Sequence, residues 1–212
     1  MNDFNLEFLF VTPIYKSTID IDDDILTLLK NEEKRRNMNG NGFSTRGNLH
    51  DKDEYKSLFD LIDKHVYKYC QDIFKLKVSY EYSCNGAWVN SHDPNDWSQV
   101  HAHPHSVISG ILYLDIPEPV EQAGNLNFLN SNFHPFTEFF NFEFEEFNMF
   151  NCQTVTFVPK NNEIFLFPSK LKHSVTKNLT EKVRYSLAFD YIISSPILTD
   201  ENTLILKEYK YE

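Results

Sequence analysis

A chain of 212 residues, 41% hydrophobic and 24% charged, is long enough to bury one generous core and too apolar to be a disordered polymer. Its net charge of −11, with no basic cluster longer than Lys34-Arg35-Arg36, argues against a nucleic-acid backbone or an anionic membrane surface as partner, since phosphate contacts draw on a basic face. Three widely spaced cysteines (Cys70, Cys84 and Cys152), no apolar run near the ~18 residues of a membrane span, and a start with two acids and no basic region argue against a disulfide framework, a transmembrane helix and a signal peptide.

The reading along the chain is a helical N-terminal part to about residue 76, a β-rich core over about 77–195 and a C-terminal extension over 196–212, all in one domain. Ile21, Ile25, Leu28 and Leu29 share one face at helical spacing, and the charged run to Arg36 continues that predicted helix. Asn37 to Asn48 reads as a loop. Tyr55, Leu58, Phe59, Ile62, Val66, Tyr69, Cys70 and Ile73 recur at intervals of three and four and predict an amphipathic helix of about five turns, with Asp51, Asp53 and Glu54 at its positive end. From residue 78 the expected strands are Val78–Tyr82, Ala87–Asn90, Ile108–Ile116, Leu126–Leu129, Thr154–Val158, Ile164–Phe167 and Val183–Ile193, a rhythm that points to an all-β sandwich or barrel. The phenylalanine-rich stretch 134–151 is expected to be a strand pair or a loop packed on the core, with an aromatic lid over a pocket as the other reading.

The chemistry concentrates in Val100-His101-Ala102-His103-Pro104-His105. At the end of a strand His101 and His103 point to one face, about 6.5–7 Å apart along the chain, and two imidazoles so placed can share a metal. His173 closes the run Ile164-Phe165-Leu166-Phe167-Pro168-Ser169-Lys170-Leu171-Lys172 and returns past a turn to meet the pair across the sandwich. His105, past a proline, is expected to leave the strand face. His50, His65, His92 and His134 read as surface or satisfied core residues. Imidazole suits iron, zinc, copper and nickel alike, so residue type alone gives a metal site and not the metal.

Arg184 lies on a strand whose other face is apolar, with Ser186 on its own face. An arginine facing the interior needs an anion. The partner is either a small-molecule carboxylate beside His173 or one of the 31 Asp and Glu residues.

Taken together, these residues resemble the 2-oxoglutarate- and Fe(II)-dependent oxygenases, in particular a small group from phages and bacteria. The matching pieces are Phe10-Val11-Thr12-Pro13-Ile14-Tyr15, Ala87-Trp88-Val89-Asn90, His101-Ala102-His103-Pro104, Ser109-Gly110-Ile111-Leu112-Tyr113-Leu114, Phe167-Pro168-Ser169 with His173, and Arg184-Tyr185-Ser186. The resemblance implies a mainly β fold, a double-stranded β-helix (a cupin-like jelly roll) with the N-terminal helices packed outside. It implies Fe(II) as metal, 2-oxoglutarate and O₂ as co-substrates, and hydroxylation of a substrate with release of succinate and CO₂. His101 takes the first ligand place, His173 the distal one, and Arg184 with Ser186 anchors the co-substrate, which Tyr113 also reaches. In the family pattern H-x-D/E the second place is a carboxylate; here it is His103. Either His103 completes a three-histidine triad, or His101 and His173 bind alone with water in the gap.

Two other readings remain at this stage: a cupin-like metal protein that does not use 2-oxoglutarate, and a non-enzymatic β-sandwich binding protein. The expected substrate is a protein side chain such as proline, or a small molecule. No nucleic acid or membrane partner is expected, and a homodimer is left open. The expected location is the cytosol of a bacterium or phage-infected cell.

Overall fold

Strands show two different faces because successive side chains point to opposite sides, and this chain uses the difference to separate a helix-covered face from a pocket face. The computed structural model describes residues 11–37, 42–130 and 143–194. Its elements in chain order are β1 (Tyr15–Thr18), α1 (Asp23–Asn31), β2 (Arg35–Arg36), β3 (Phe43–Ser44), α2 (Lys56–Lys68), β4 (Glu81–His92), β5 (Ser98–His101) and β6 (Ile108–Asp115), then β7 (Leu126–Leu129), β8 (Thr154–Phe157), β9 (Glu163–Pro168), β10 (His173–Val175) and β11 (Arg184–Ser194). The larger antiparallel sheet has the order β1-β9-β6-β11-β4-β3-β2 and the smaller one β5-β10-β7-β8. From β4 to β11 the chain passes back and forth between the two sheets, which makes a double-stranded β-helix.

The larger sheet is covered on both faces, which explains the unbroken apolar run of β6. Leu112 and Leu114 of β6, Ile164 and Leu166 of β9, and Leu187, Phe189 and Tyr191 of β11 face α2, whose Leu58, Phe59, Ile62 and Val66 complete one core. Ile111, Tyr113, Phe165 and Phe167 face the other way and meet Leu126 and Phe128 of the smaller sheet in a second core. Gly110 is required by this packing. It lies opposite Phe189, and a methyl group there would sit 2.1 Å from the Phe189 ring. The helices thus stiffen the sheet from outside, leaving its inner face to hold the site.

Several expected elements differ. Lys34-Arg35-Arg36 does not continue α1, because Arg35 and Arg36 form the edge strand β2. Leu29 is buried whereas Leu28 is exposed, so the two do not share one buried face. The five-turn helix is α2 followed by a π turn at Tyr69–Ile73. The extra residue per turn rotates Ile73 off the apolar stripe and into solvent. Val78 is 82% exposed, and the two runs expected over 78–90 are one twelve-residue strand beginning at Glu81. Residues 1–76, read as helical, also supply β1, β2 and β3. The described part of the phenylalanine-rich stretch, 143–151, is an exposed turn region and is not packed on the core; Asn148 and Asn151 close it with side-chain bonds to its backbone. Residues 134–142, with His134, lie outside the described residues, as do Phe10 and the extension 196–212. Among the described residues no helix is long and apolar enough to cross a membrane.

Candidate metal centre

Three strands of the larger sheet, β4, β11 and β6, present alternate residues to the inside. β11 contributes Arg184, Ser186, Ala188 and Asp190, and β4 contributes Trp88, Asn90 and His92 opposite them. With β5 and β10 these residues enclose a cavity of about 500 Å³.

His101 ends β5 and His173 opens β10, and the two are register partners on neighbouring strands. They meet within the smaller sheet and not across the sandwich. His103 follows β5 by two residues, and its backbone N–H donates to the Ser169 carbonyl at 2.8 Å, which ties it to the turn leading into β10. The ring centroids are 4.3 Å apart for His101 and His173, and 5.2 Å for each with His103.

The hydrogen bonds select one tautomer in all three rings. Nδ1 of His101 faces the Gln99 carbonyl at 2.8 Å, Nδ1 of His173 faces the Leu171 carbonyl at 3.0 Å, and Nδ1 of His103 faces Asp190 Oδ2 at 2.7 Å. Carbonyl and carboxylate oxygens accept only, so each Nδ1 carries the proton and each Nε2 keeps its lone pair. The potential ligand atoms of the three residues lie within 4.8 Å of one another. His103 Nε2 is buried and has no hydrogen-bond partner. Burial, with His101 next, holds His173 down to about 3, and burial lowers His101 as well, so both rings are neutral at pH 7. Oriented, neutral imidazoles with converging lone pairs are what a divalent cation needs.

Arg184 is 1% exposed and pairs with no carboxylate among the described residues. Its Nη1 bonds His92 Nδ1 at 2.9 Å. A guanidinium only donates, so His92 Nδ1 accepts and His92 Nε2–H donates to Ser98 Oγ at 2.9 Å. Arg184 Nε and Nη2 are buried without partners, as is the Tyr113 hydroxyl, whose ring lies 5.0 Å beneath the guanidinium. Ser186 is buried beside Arg184 on the same face. Unpaired donors of a buried cation opening on a cavity fit a carboxylate from outside the chain. The residues present therefore fit both a metal and an anionic organic molecule.

Two residues of this site escape sequence reading. His92 is a satisfied buried histidine as expected, but it also orients Arg184; Asp190 holds His103. The signal for both is the period of two on β4 and β11, which puts 92 in line with 88 and 90, and 190 in line with 184 and 186. His105 lines the same cavity. His65 accepts or donates to the Tyr15 hydroxyl at 2.8 Å behind the larger sheet, and His50 packs on Phe59.

Burial, with the Arg184 charge next, also pushes His92 down to about 3, and this gives a pH prediction. Folded His92 and His173 take up no proton until well below the ~6.5 at which the unfolded rings do. The unfolded chain then binds more protons, so stability is full above about pH 6.5 and is lost as pH falls from there toward 3. The expected loss in the metal-free protein is about 1.4 kcal/mol per pH unit for each ring. Urea unfolding between pH 7.5 and 4.5 measures it. His92→Gln is expected to reduce the slope by one proton, and a flat profile in the parent chain would refute the assignment.

Residues 86–190 match the family model described as "Putative 2OG-Fe(II) oxygenase". That segment runs from the middle of β4 to Asp190 and so contains every cavity residue named above. No curated protein matches the chain in sequence. Among solved structures the chain is similar to a prolyl-4-hydroxylase of Pseudomonas putida, at 12% identity and a TM-score of 0.58, covering 84% of this chain and 91% of that one. It is similar to SnoN, a non-heme α-ketoglutarate-dependent epimerase from nogalamycin biosynthesis, at 14% identity and a TM-score of 0.60, covering 92% and 86%. It is also similar to HygX of Streptomyces hygroscopicus, solved with nickel and 2-oxoglutarate, at 11% identity and a TM-score of 0.58, covering 85% and 82%. At these identities the likeness is one of fold.

Proposed function

We propose that this chain, which belongs to the 2OG-Fe(II) oxygenase family through residues 86–190, hydroxylates its substrate with Fe(II), 2-oxoglutarate and O₂. The observation that carries the reading is the pairing, in one cavity, of three histidines whose ligand nitrogens lie within 4.8 Å of one another with a buried arginine that has no carboxylate partner among the described residues. His101, His103 and His173 hold the iron. Arg184 takes the distal carboxylate of 2-oxoglutarate, with Ser186 and Tyr113 donating their hydroxyls to it. Bound there, the iron and 2-oxoglutarate supply the oxidising chemistry, in which O₂ gives one atom to the decarboxylating co-substrate and one to the substrate.

The protein's own contribution is placement. His101 and His173, kept neutral by burial, hold the metal end free of competing protons, and the Asp190 and carbonyl contacts fix the three rings before anything binds. The Phe128, Phe165 and Phe167 side chains exclude water from the wall between the sheets. A cupin-like metal protein that ignores 2-oxoglutarate would leave Arg184 without a purpose.

We take the substrate to be a protein side chain such as proline, on the likeness to the prolyl-4-hydroxylase. The net charge of −11 favours a basic peptide through steering that weakens with salt. The test is incubation with Fe(II), 2-oxoglutarate, air and a basic proline-containing peptide, following succinate and the peptide mass. Succinate together with an oxygen-bearing peptide is the expected result. Succinate alone removes the peptide as substrate, and failure to bind or turn over 2-oxoglutarate removes the oxygenase reading.

A further inference from the structure

Three neutral imidazoles would leave the full double charge of a divalent cation in a largely buried site, with no ligand of opposite sign. Asp190 stands directly behind one of them. It is buried, its Oδ2 accepts from His103 Nδ1 at 2.7 Å, and its Oδ1 accepts from Ser109 Oγ. Among the described residues no Lys or Arg pairs with it; its one ion-pair contact is the His103 ring. A buried carboxylate without a cationic partner is costly unless positive charge arrives from elsewhere.

The two ends of the inner face of β11 are thus matched. Arg184 at one end is a buried cation open to an external anion, and Asp190 at the other is a buried anion one imidazole away from a cation site. Resting on the reading of His101, His103 and His173 as metal ligands, we propose that Asp190 supplies through His103 the negative charge that a carboxylate ligand would otherwise provide. Asp190 is a positioning residue, acting by the Nδ1–H hydrogen bond. That bond orients the His103 ring and raises the electron density at Nε2, so His103 serves as a ligand with partial anionic character. The site then gains charge compensation while keeping three nitrogen donors.

The test is Co(II) titration of the metal-stripped full chain, read from the cobalt absorption bands, without co-substrate or turnover. Asp190→Asn retains an oxygen that can accept from His103 Nδ1–H and removes only the charge. Its Co(II) affinity is expected to fall about 10–100-fold with the band shape unchanged. Ser109→Ala, which removes a hydrogen bond to Asp190 and no charge, is expected to fall less. An Asp190→Asn chain that binds Co(II) as tightly as the parent overturns the proposal, and so does one whose bands show a lost nitrogen ligand. If Asp190→Asn folds poorly, His103→Asp combined with Asp190→Asn moves the charge into the ligand place. That double variant is expected to bind Co(II) within tenfold of the parent, and weaker binding overturns the proposal. Failure of the ligand reading looks different: the parent chain itself would bind Co(II) no better than His101→Ala.

Discussion

His173→Ala is expected to abolish tight metal binding, lowering affinity by more than ~100-fold, and to remove succinate formation with it. His173 is the ligand that the fold fixes most completely. It opens β10, pairs in register with His101, accepts the packing of Phe167 and Phe128, and has its Nδ1 committed to the Leu171 carbonyl. Among the described residues the group that could hold a metal contains only His101, His103 and His173, so no fourth side chain of that group stands ready to replace it. The loss in fold stability is expected to be modest, ~1–3 kcal/mol, because it is limited to the packing of one ring and its hydrogen bond to the Leu171 carbonyl. Metal content of the purified protein and a Co(II) titration measure the first effect, and thermal unfolding of the metal-free chains the second. Unchanged metal content in the variant would sink the metal reading.

The parts of the fold that sequence shows are those where burial writes a period into the chain. Leu126–Leu129 alternates between buried and half-buried positions, and the run from Ile108 is apolar throughout because α2 covers one face and the smaller sheet the other. β5 is illegible for the opposite reason. Ser98-Gln99-Val100-His101 is an edge strand with little buried surface, held by its pairing with β10, and that pairing depends on residues more than seventy positions away. Of the N-terminal strands, β2 and β3 have two residues each and are too short to show any alternation, and β1, at the sheet edge, alternates only between half-buried and exposed positions. The same distinction runs through the site. His101, His103, His173, Arg184, Ser186 and Tyr113 are visible as residue types in a familiar order. Asp190 and His92 are ordinary polar residues until the strand pairing turns them inward beside a histidine and an arginine.

Arg184→Met separates an anchor from a structural ion pair by its unequal effects on binding and stability. Truncating one partner of a buried, hydrogen-bonded charge pair removes ~2–5 kcal/mol of binding, so the affinity for 2-oxoglutarate is expected to fall by about 30-fold or more, with about 100-fold well inside that range. In the free protein the terms oppose each other. Loss of the contact with the Tyr113 ring and of the bond to His92 destabilises, while removal of a fully buried cation, whose charged form burial already disfavours, stabilises. The expected net change without ligand is within ~1 kcal/mol, against the ~3–5 kcal/mol that breaking an internal salt bridge costs. Thermal unfolding at a fixed metal concentration reads both quantities. With 2-oxoglutarate at about 100 times the parent's Kd, the parent gains ~2.7 kcal/mol, whereas a variant weakened 100-fold gains only ~0.4 kcal/mol. Arg184→Lys keeps the charge but loses the planar fork, and its gain is expected to fall between the two. Equal stabilisation of parent and Arg184→Met by 2-oxoglutarate would mean that the acid binds elsewhere.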